Sequence, residues 1–138
     1  IAEAIAAADI AHLGNRRVPS LSGGERARVG FARVVAGRTG VLMLDEPTAA
    51  LDLGHQETLL QLTRERAAAG DAVLVVLHDL NLAALWADRI LLLHQGKLVA
   101  EGTPQEVICQ SVISRWYGAE VRMGEHPDIA IPQVYLAP

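Results

Sequence analysis

The sequence has little cysteine and no excess of positive charge. Cys109 is its single cysteine, which excludes a disulfide within the chain and fits a reducing compartment. Twelve Lys and Arg residues stand against sixteen Asp and Glu residues, for a formal net charge of −4. A nucleic-acid backbone is bound by clustered Lys and Arg, so this charge balance argues against a nucleic-acid partner.

The sequence also lacks a long apolar run. A membrane-spanning helix needs roughly 18–20 apolar residues, whereas the apolar stretch that ends at Leu77 is only one strand long. Any membrane association is therefore expected to come through a partner. With 138 residues, 51% of them apolar, the chain can bury one modest core.

Apolar periodicity and turn residues predict an α/β chain. Two short apolar runs separated by one helix predict neighbouring parallel strands, and their continuous apolarity is typical of strands buried on both faces. Gln95-Gly96 predicts a β-hairpin, and Thr103-Pro104 with Glu106 predicts a capped helix start. The pattern predicts helices at 1–13, 22–37, 55–69 and 82–86, strands at 41–44 and 73–77, and hairpin strands at 90–93 and 98–100. The stretch after Gly118 shows no clear pattern, and the opening at Ile1 reads as mid-helix, so we expect a piece of a longer protein.

The segment Leu21-Ser22-Gly23-Gly24-Glu25 opens the second predicted helix. A hydroxyl followed by two glycines at a helix start exposes several unpaired N–H groups, with the positive end of the helix dipole behind them. Such a start can cradle a phosphate group. An isolated Ser-Gly-Gly is more often an ordinary cap and turn, so the phosphate hypothesis depends on residues further along the chain.

Two adjacent carboxylates come directly after the first predicted strand, at the end where open α/β sheets bind ligands. Asp45 can hold Mg²⁺, and Glu46 can act as a general base toward water, which suits hydrolysis of a phosphoanhydride. Two solvated acids at a loop are the ordinary alternative, and Asp52 can be a simple turn former. His78 comes after the second strand, where it can reach a terminal phosphate, although a lone His at a strand end is more often structural.

Four motifs in this order resemble those of ATP-binding-cassette (ABC) ATPases. Leu21–Glu25 is similar to the ABC signature, 41–46 to Walker B, 49–52 to the D-loop, and His78 to the switch histidine. The resemblance implies a P-loop NTPase fold with a mainly parallel sheet, flanking helices, a C-terminal β-hairpin and short helices. It also implies that ATP and Mg²⁺ are the ligands, and that the signature binds the ATP held by the partner subunit through Leu21, Ser22, Gly23, Gly24 and Glu25. Asp45 is then expected to bind Mg²⁺, and Glu46 to act as the general base. Asp52 is expected to signal across the dimer, and His78 to sense the γ-phosphate.

Part of the family pattern is missing. No Gly-Lys-Ser or Gly-Lys-Thr of a Walker A loop occurs, since Gly96-Lys97 is followed by Leu98. The resemblance therefore implies a partial nucleotide-binding domain, in which 1–37 end the helical subdomain and 38–138 form the catalytic half, with the Walker A and glutamine-loop half absent. Such a chain is expected not to hydrolyse ATP alone.

The stretch 76–84 resembles importer subunits for iron chelates, hemin and cobalamin, and 48–56 resembles hemin importers in particular. This implies a head-to-tail dimer on the cytoplasmic face of the membrane, with permease subunits and, indirectly, a substrate-binding protein. An importer ATPase for cobalamin or another substrate, and a soluble ABC ATPase acting on DNA or ribosomes, are the alternatives. The basic surfaces and long insertions that mark the soluble class are absent from the sequence.

Overall fold

The computed structural model describes residues 1–37 and 39–137, which form two compact units. The second part of the domain is predicted to begin at residue 38, which lies outside the described residues. The first unit, Ile1–Leu77, contains α1 (Ala2–Ala7), two 3-10 turns (Ala11–Leu13 and Val18–Ser20), α2 (Gly23–Ala36), β1 (Val41–Asp45), α3 (Leu53–Ala68) and β2 (Ala72–Val76). The second unit, residues 78–137, contains α4 (Leu80–Trp86), β3 (Ile90–His94), β4 (Lys97–Gly102), α5 (Pro104–Val107), α6 (Gln110–Tyr117), β5 (Val121–Glu125) and β6 (Pro132–Leu136).

In the first unit β1 and β2 pair in parallel, as predicted, with α3 as the crossover between them. Asp45 lies opposite Val76, so the carboxyl ends of the two strands are in register. The core of this unit contains Phe31 and Ala32 of α2, Leu42 and Leu44 of β1, and Leu59 and Leu60 of α3. The parallel pair therefore presents the end of β1, where Asp45 lies, at one edge of a packed core.

The prediction that both strands are buried on two faces is wrong. Leu42 and Leu44 are buried, but Val41 and Met43 are 54% and 67% exposed, and Leu74 on β2 is also exposed. Successive side chains of a strand point to opposite faces, and the described residues of this unit cover one face only. The continuous apolar run therefore carries an apolar face that this unit leaves uncovered.

The predicted helix over residues 1–13 is also wrong, because α1 ends at Ala7. Asp9 adopts a φ of 47°, in the left-handed region that no helix interior tolerates. The amides of Asp9 and Ile10 bond back to the carbonyls of Ala6 and Ile5, which is a Schellman arrangement. The apolar spacing continues past Ala7, but this C-cap stops the helix.

The second unit contains two antiparallel hairpins, β3–β4 and β5–β6. Gln95 and Gly96 have φ values of 49° and 73°, as the first predicted hairpin requires. Thr103 and Glu106 form the predicted capping box, with Pro104 in the first turn. The core includes Ala84, Leu92, Val107, Ile108, Ile113 and Val121. The second hairpin occupies the stretch that has no clear sequence pattern.

Candidate functional site

The start of α2 has the geometry that the signature segment predicts. Ser22 is the N-cap: its Oγ accepts from the Glu25 amide at 3.2 Å, while the Ser22 amide donates to Glu25 Oε2 at 2.7 Å. Gly23 and Gly24 occupy the first turn, where backbone N–H groups have no acceptor inside the helix. The reciprocal cap holds this turn in place without using those two N–H groups.

Arg16 stabilises the signature segment by hydrogen bonds, and no sequence pattern indicated this role. Its Nη1 donates to Glu25 Oε1 at 2.8 Å, and its Nη2 donates to the Ser20 carbonyl at 2.6 Å. The bond from the Ser22 amide, followed by the Ser22 hydroxyl and Arg16, holds the pKa of Glu25 below its usual range. A Glu at this position therefore serves as a shared anchor for the cap and for the chain that precedes it.

The signature glycines contact the segment that resembles the D-loop. A Cβ on Gly24 would lie 3.1 Å from the Ala50 carbonyl oxygen, and one on Gly23 would lie 3.9 Å from the Ala50 Cβ. The fold therefore brings the start of α2 against the loop that comes after β1. The close approach gives a packing reason for glycine at position 24, in addition to the exposure of its N–H group.

Asp45 and Glu46 lie at the carboxyl end of β1, and both are solvent-exposed. Glu46 adopts a φ of 46°, which is uncommon for a residue with a side chain. Its amide donates to the Val76 carbonyl at 3.1 Å, and its carbonyl accepts from the Ala49 amide at 3.2 Å. Backbone in this region costs free energy and is concentrated at functional sites. The conformation turns the chain sharply immediately after Asp45.

Asp52 is the N-cap of α3, so its turn-forming role is real. Its Oδ1 accepts from the His55 amide at 3.0 Å and lies 2.7 Å from His55 Nδ1. These bonds, the amide first, hold the pKa of Asp52 below its usual range. The side chain remains 71% exposed, which leaves its outer oxygen accessible to another molecule.

His78 is the first residue of the second unit and is solvent-exposed. It immediately precedes Asp79, the N-cap of α4, whose Oδ1 accepts from the amides of Asn81 at 2.8 Å and Leu82 at 3.0 Å. The predicted residues thus divide between the units. The signature, Asp45, Glu46 and Asp52 lie in the first unit, and His78 opens the second.

A cavity of about 310 Å³ lies in the first unit, beside Asp52. The residues that line it include Asp52, His55, Arg28, Phe31 and Asp9. The Arg28 guanidinium contacts Asp9 through its carbonyl at 3.1 Å and its carboxylate at 3.4 Å. Of the predicted site residues, only Asp52 borders the cavity, so the carboxyl end of β1, where Asp45 and Glu46 are exposed, is the better candidate for the chemistry in this unit.

Within residues 1–37 and 39–137, no three His, Cys, Asp or Glu side chains cluster in a way that could hold a metal ion. In the same residues, no helix combines the length and apolarity needed to cross a bilayer.

The family model described as "ABC transporter" matches residues 1–49. The hemin import ATP-binding protein of Rhodococcus jostii is 55% identical over 92% of this chain and 44% of its own length. An inward-facing metal-chelate type ABC transporter superposes with a TM-score of 0.82 at 24% identity, over 99% of this chain and 55% of that one. A dimeric ATP-binding cassette bound to ADP and Pi superposes with a TM-score of 0.68 at 33% identity, over 74% of this chain and 44% of that one.

The chain spans about half the length of the relatives that it matches. The fold expected from the resemblance is confirmed by both superpositions. The chain is thus similar in sequence to about half of an ABC transporter ATP-binding protein, and its fold matches the corresponding half of ATP-binding cassettes of known structure.

Proposed function

We propose that this chain supplies the signature and hydrolysis residues of the ATPase subunit of an ABC importer. The observation that carries the proposal is the capped, glycine-lined start of α2, packed against the loop that comes after Asp45 and Glu46. A simple helix cap would not need a glycine against a neighbouring backbone carbonyl, as at Gly24, or an acidic residue with left-handed backbone at the adjoining strand end.

The phosphate-binding role is assigned to Ser22, Gly23 and Gly24. Their N–H and hydroxyl groups, with the helix dipole behind them, favour an anion at this exposed start of α2. In the proposed head-to-tail dimer this surface contacts the γ-phosphate of ATP held by the second copy, and Asp52 transmits the state of that site. The dimeric cassette bound to ADP and Pi, which superposes on this chain, supports the arrangement.

Asp45 fits a magnesium ligand. Mg²⁺ in nucleotide sites is typically held by one or two carboxylates together with phosphate oxygens and waters, so one exposed carboxylate at a strand end is enough. When bound with ATP, the ion neutralises charge that develops on the phosphate oxygens. Asp45 would hold the ion directly or through water.

Glu46 is proposed as the general base and His78 as the sensor of the γ-phosphate. The Glu46 carboxylate takes a proton from the attacking water while the bond to the leaving phosphate oxygen breaks. The left-handed backbone at Glu46 sets the direction in which its side chain leaves the strand end. The role of His78 comes from its resemblance to the switch histidine and from its place in the chain, two residues after Val76, the strand residue paired with Asp45.

We propose that residues 1–37 end a helical subdomain, that 38–138 form the catalytic half, and that a Walker A and glutamine-loop half completes the cassette. Without that half no group holds the β-phosphate, so the 138-residue chain alone is expected not to turn over ATP. The complete subunit would dimerise, bind permease subunits that receive substrate from a binding protein, and lie on the cytoplasmic face of the membrane.

The proposed cargo is hemin or another iron chelate. This proposal is based on the relatives' names. The similar protein from Rhodococcus jostii is a hemin import ATP-binding protein, and so are those from Thermobifida fusca and Streptomyces coelicolor, which are 50% and 56% identical to this chain. Comparing ATP-driven uptake of hemin and cobalamin by the reconstituted transporter tests the cargo separately from the ATPase. Uptake of cobalamin but not of hemin would contradict the proposed cargo and leave the proposed ATPase role intact.

A complete cassette tests the catalytic assignment. It is made by joining this chain to the residues that precede the matched region in the Rhodococcus jostii relative. Glu46→Gln keeps the size of the side chain but removes the base, so we expect turnover to fall at least about 100-fold, because general bases contribute that much or more. ATP binding should remain within about threefold, because the proposed Mg²⁺ and phosphate groups are unchanged.

Glu57→Gln is the matched control, because Glu57 is an exposed carboxylate on α3 in the same unit. It should leave both turnover and ATP binding unchanged. Equal turnover by Glu46→Gln and the unsubstituted cassette would remove Glu46 from the role of base.

A further inference from the structure

The C-terminal hairpin, β5–β6, is fastened to α4 by the side chain of Asn81. Asn81 Nδ2 donates to the Val134 carbonyl at 3.2 Å, and the Val134 amide donates to Asn81 Oδ1 at 2.8 Å. One carboxamide thus satisfies both backbone groups of one residue on β6, much as a neighbouring strand would. The two residues are 53 positions apart in the chain.

The register of the hairpin explains why Val134 is available for this bond. Its partner across the hairpin is Met123, and in antiparallel pairs every second residue points its N–H and C=O away from the partner strand. Those outward groups of an edge strand need a partner. Asn81 supplies it at the level of Val134, so the hairpin and α4 are joined by a directional contact rather than by apolar packing alone.

The start of α4 is consequently fixed from two sides. The main-chain amide of Asn81 donates to the Asp79 side chain, while the Asn81 side chain binds β6. A helix of seven residues has little stability of its own, so its position depends on such tertiary contacts. His78 immediately precedes this doubly fixed segment.

We propose that Asn81 is a positioning residue for His78, and that the C-terminal hairpin acts through it to set the orientation of the switch histidine. The proposal rests on the role assigned to His78 above. It gives the hairpin a part in catalysis although none of its residues is among the proposed site residues.

The kinetic test uses the complete cassette. Asn81→Ala and the isosteric Asn81→Asp, which lacks the Nδ2 donor, should each lower kcat about tenfold while the KM for ATP stays within about twofold, since two hydrogen bonds of ordinary strength are lost or weakened. Gln105→Ala is the matched control: Gln105 Nε2 donates to the Ala130 carbonyl at 3.0 Å, so it fastens the same hairpin at its loop rather than to α4. This variant should keep kcat within about twofold.

A double-substitution cycle separates positioning from general destabilisation. If Asn81 acts through His78, Asn81→Ala should have little further effect on kcat in a His78→Ala background. An equal loss of kcat in both backgrounds, or no loss in either, would overturn the proposal. Circular dichroism of each variant confirms that the fold is retained.

Hydrogen exchange tests the anchor independently of catalysis. Amides of α4 should exchange about tenfold faster in Asn81→Ala than in the unsubstituted cassette and should be unchanged in Gln105→Ala. Unchanged exchange in Asn81→Ala would overturn the anchor itself. Faster exchange together with unaltered turnover of His78→Ala would instead refute the role proposed for His78, so the two failures are distinguishable.

Discussion

Two glycines of α2 provide a matched pair in which the same substitution should have opposite effects. Gly30 lies in the helix interior, and a Cβ there would meet nothing within 4 Å. Gly24 lies in the first turn, where a Cβ would lie 3.1 Å from the Ala50 carbonyl oxygen, tighter than ordinary van der Waals contact. The helix propensity of alanine favours both changes, but only one of them has open space.

The expected magnitudes depend on these two environments. Gly30→Ala should raise the free energy of unfolding by about 0.8–1 kcal/mol, the usual difference between Gly and Ala in a helix interior. Gly24→Ala should lower it by about 1 kcal/mol, because overpacking against backbone costs about 1–3 kcal/mol and the propensity gain offsets only part of this. The midpoint of thermal unfolding should shift by roughly 4 °C in opposite directions.

Urea unfolding of the 138-residue chain, monitored by far-UV circular dichroism, measures both variants under one condition. The double variant should be close to the sum of the single effects, because the substituted positions share no contact in the structure. Stabilisation of similar size by both substitutions would refute the close approach of Gly24 to the Ala50 loop. That result would also remove the packing reason for glycine at the start of α2.

Two further predictions concern the capping boxes. The Ser22 amide and, to a smaller extent, Arg16 hold the pKa of Glu25 below its value in the unfolded chain. The contribution of these contacts to folding stability is therefore fully present above about pH 4.3 and is lost as the pH falls through the folded-state pKa of Glu25. The advantage of the unsubstituted chain over Glu25→Gln in urea unfolding should therefore shrink as the pH falls below about 4.3, and a difference that stays constant down to acid pH would contradict this account. Gly102→Ala should lower the free energy of unfolding by about 0.5–2 kcal/mol, the usual cost of losing a helix cap, because its Cβ would lie 2.6 Å from Glu106 Oε2 and displace the carboxylate that caps α5. Stability equal to that of the unsubstituted chain would show that Glu106 moves aside without cost.

Local signals in the sequence predicted much of the secondary structure. Ser22 with Glu25 and Thr103 with Glu106 form the expected capping boxes, and Gln95-Gly96 forms the expected turn. These features depend on residues within three or four positions of one another, so the sequence alone contains the information. The apolar runs likewise predicted the parallel pair of β1 and β2.

The errors arose where a local pattern competes with another interaction. Helical spacing continues past Ala7, but the left-handed Asp9 ends α1. The apolar runs of β1 and β2 predicted two covered faces, because periodicity reports which side chains are apolar and not what lies against them. The β5–β6 hairpin lacks regular alternation, and its position depends on contacts with α4 and α5.

The sequence by itself determined the order of the residues that we propose carry the chemistry: Ser22-Gly23-Gly24, then the Asp45-Glu46 pair, then His78. Only the tertiary structure decided which groups support them, namely Arg16 behind Glu25, the Ala50 carbonyl against Gly24, and Val134 against Asn81. A motif depends on neighbours in the chain, whereas a supporting contact joins residues 9 to 53 positions apart. Such contacts form only after packing has brought distant segments together, so no local pattern can predict them.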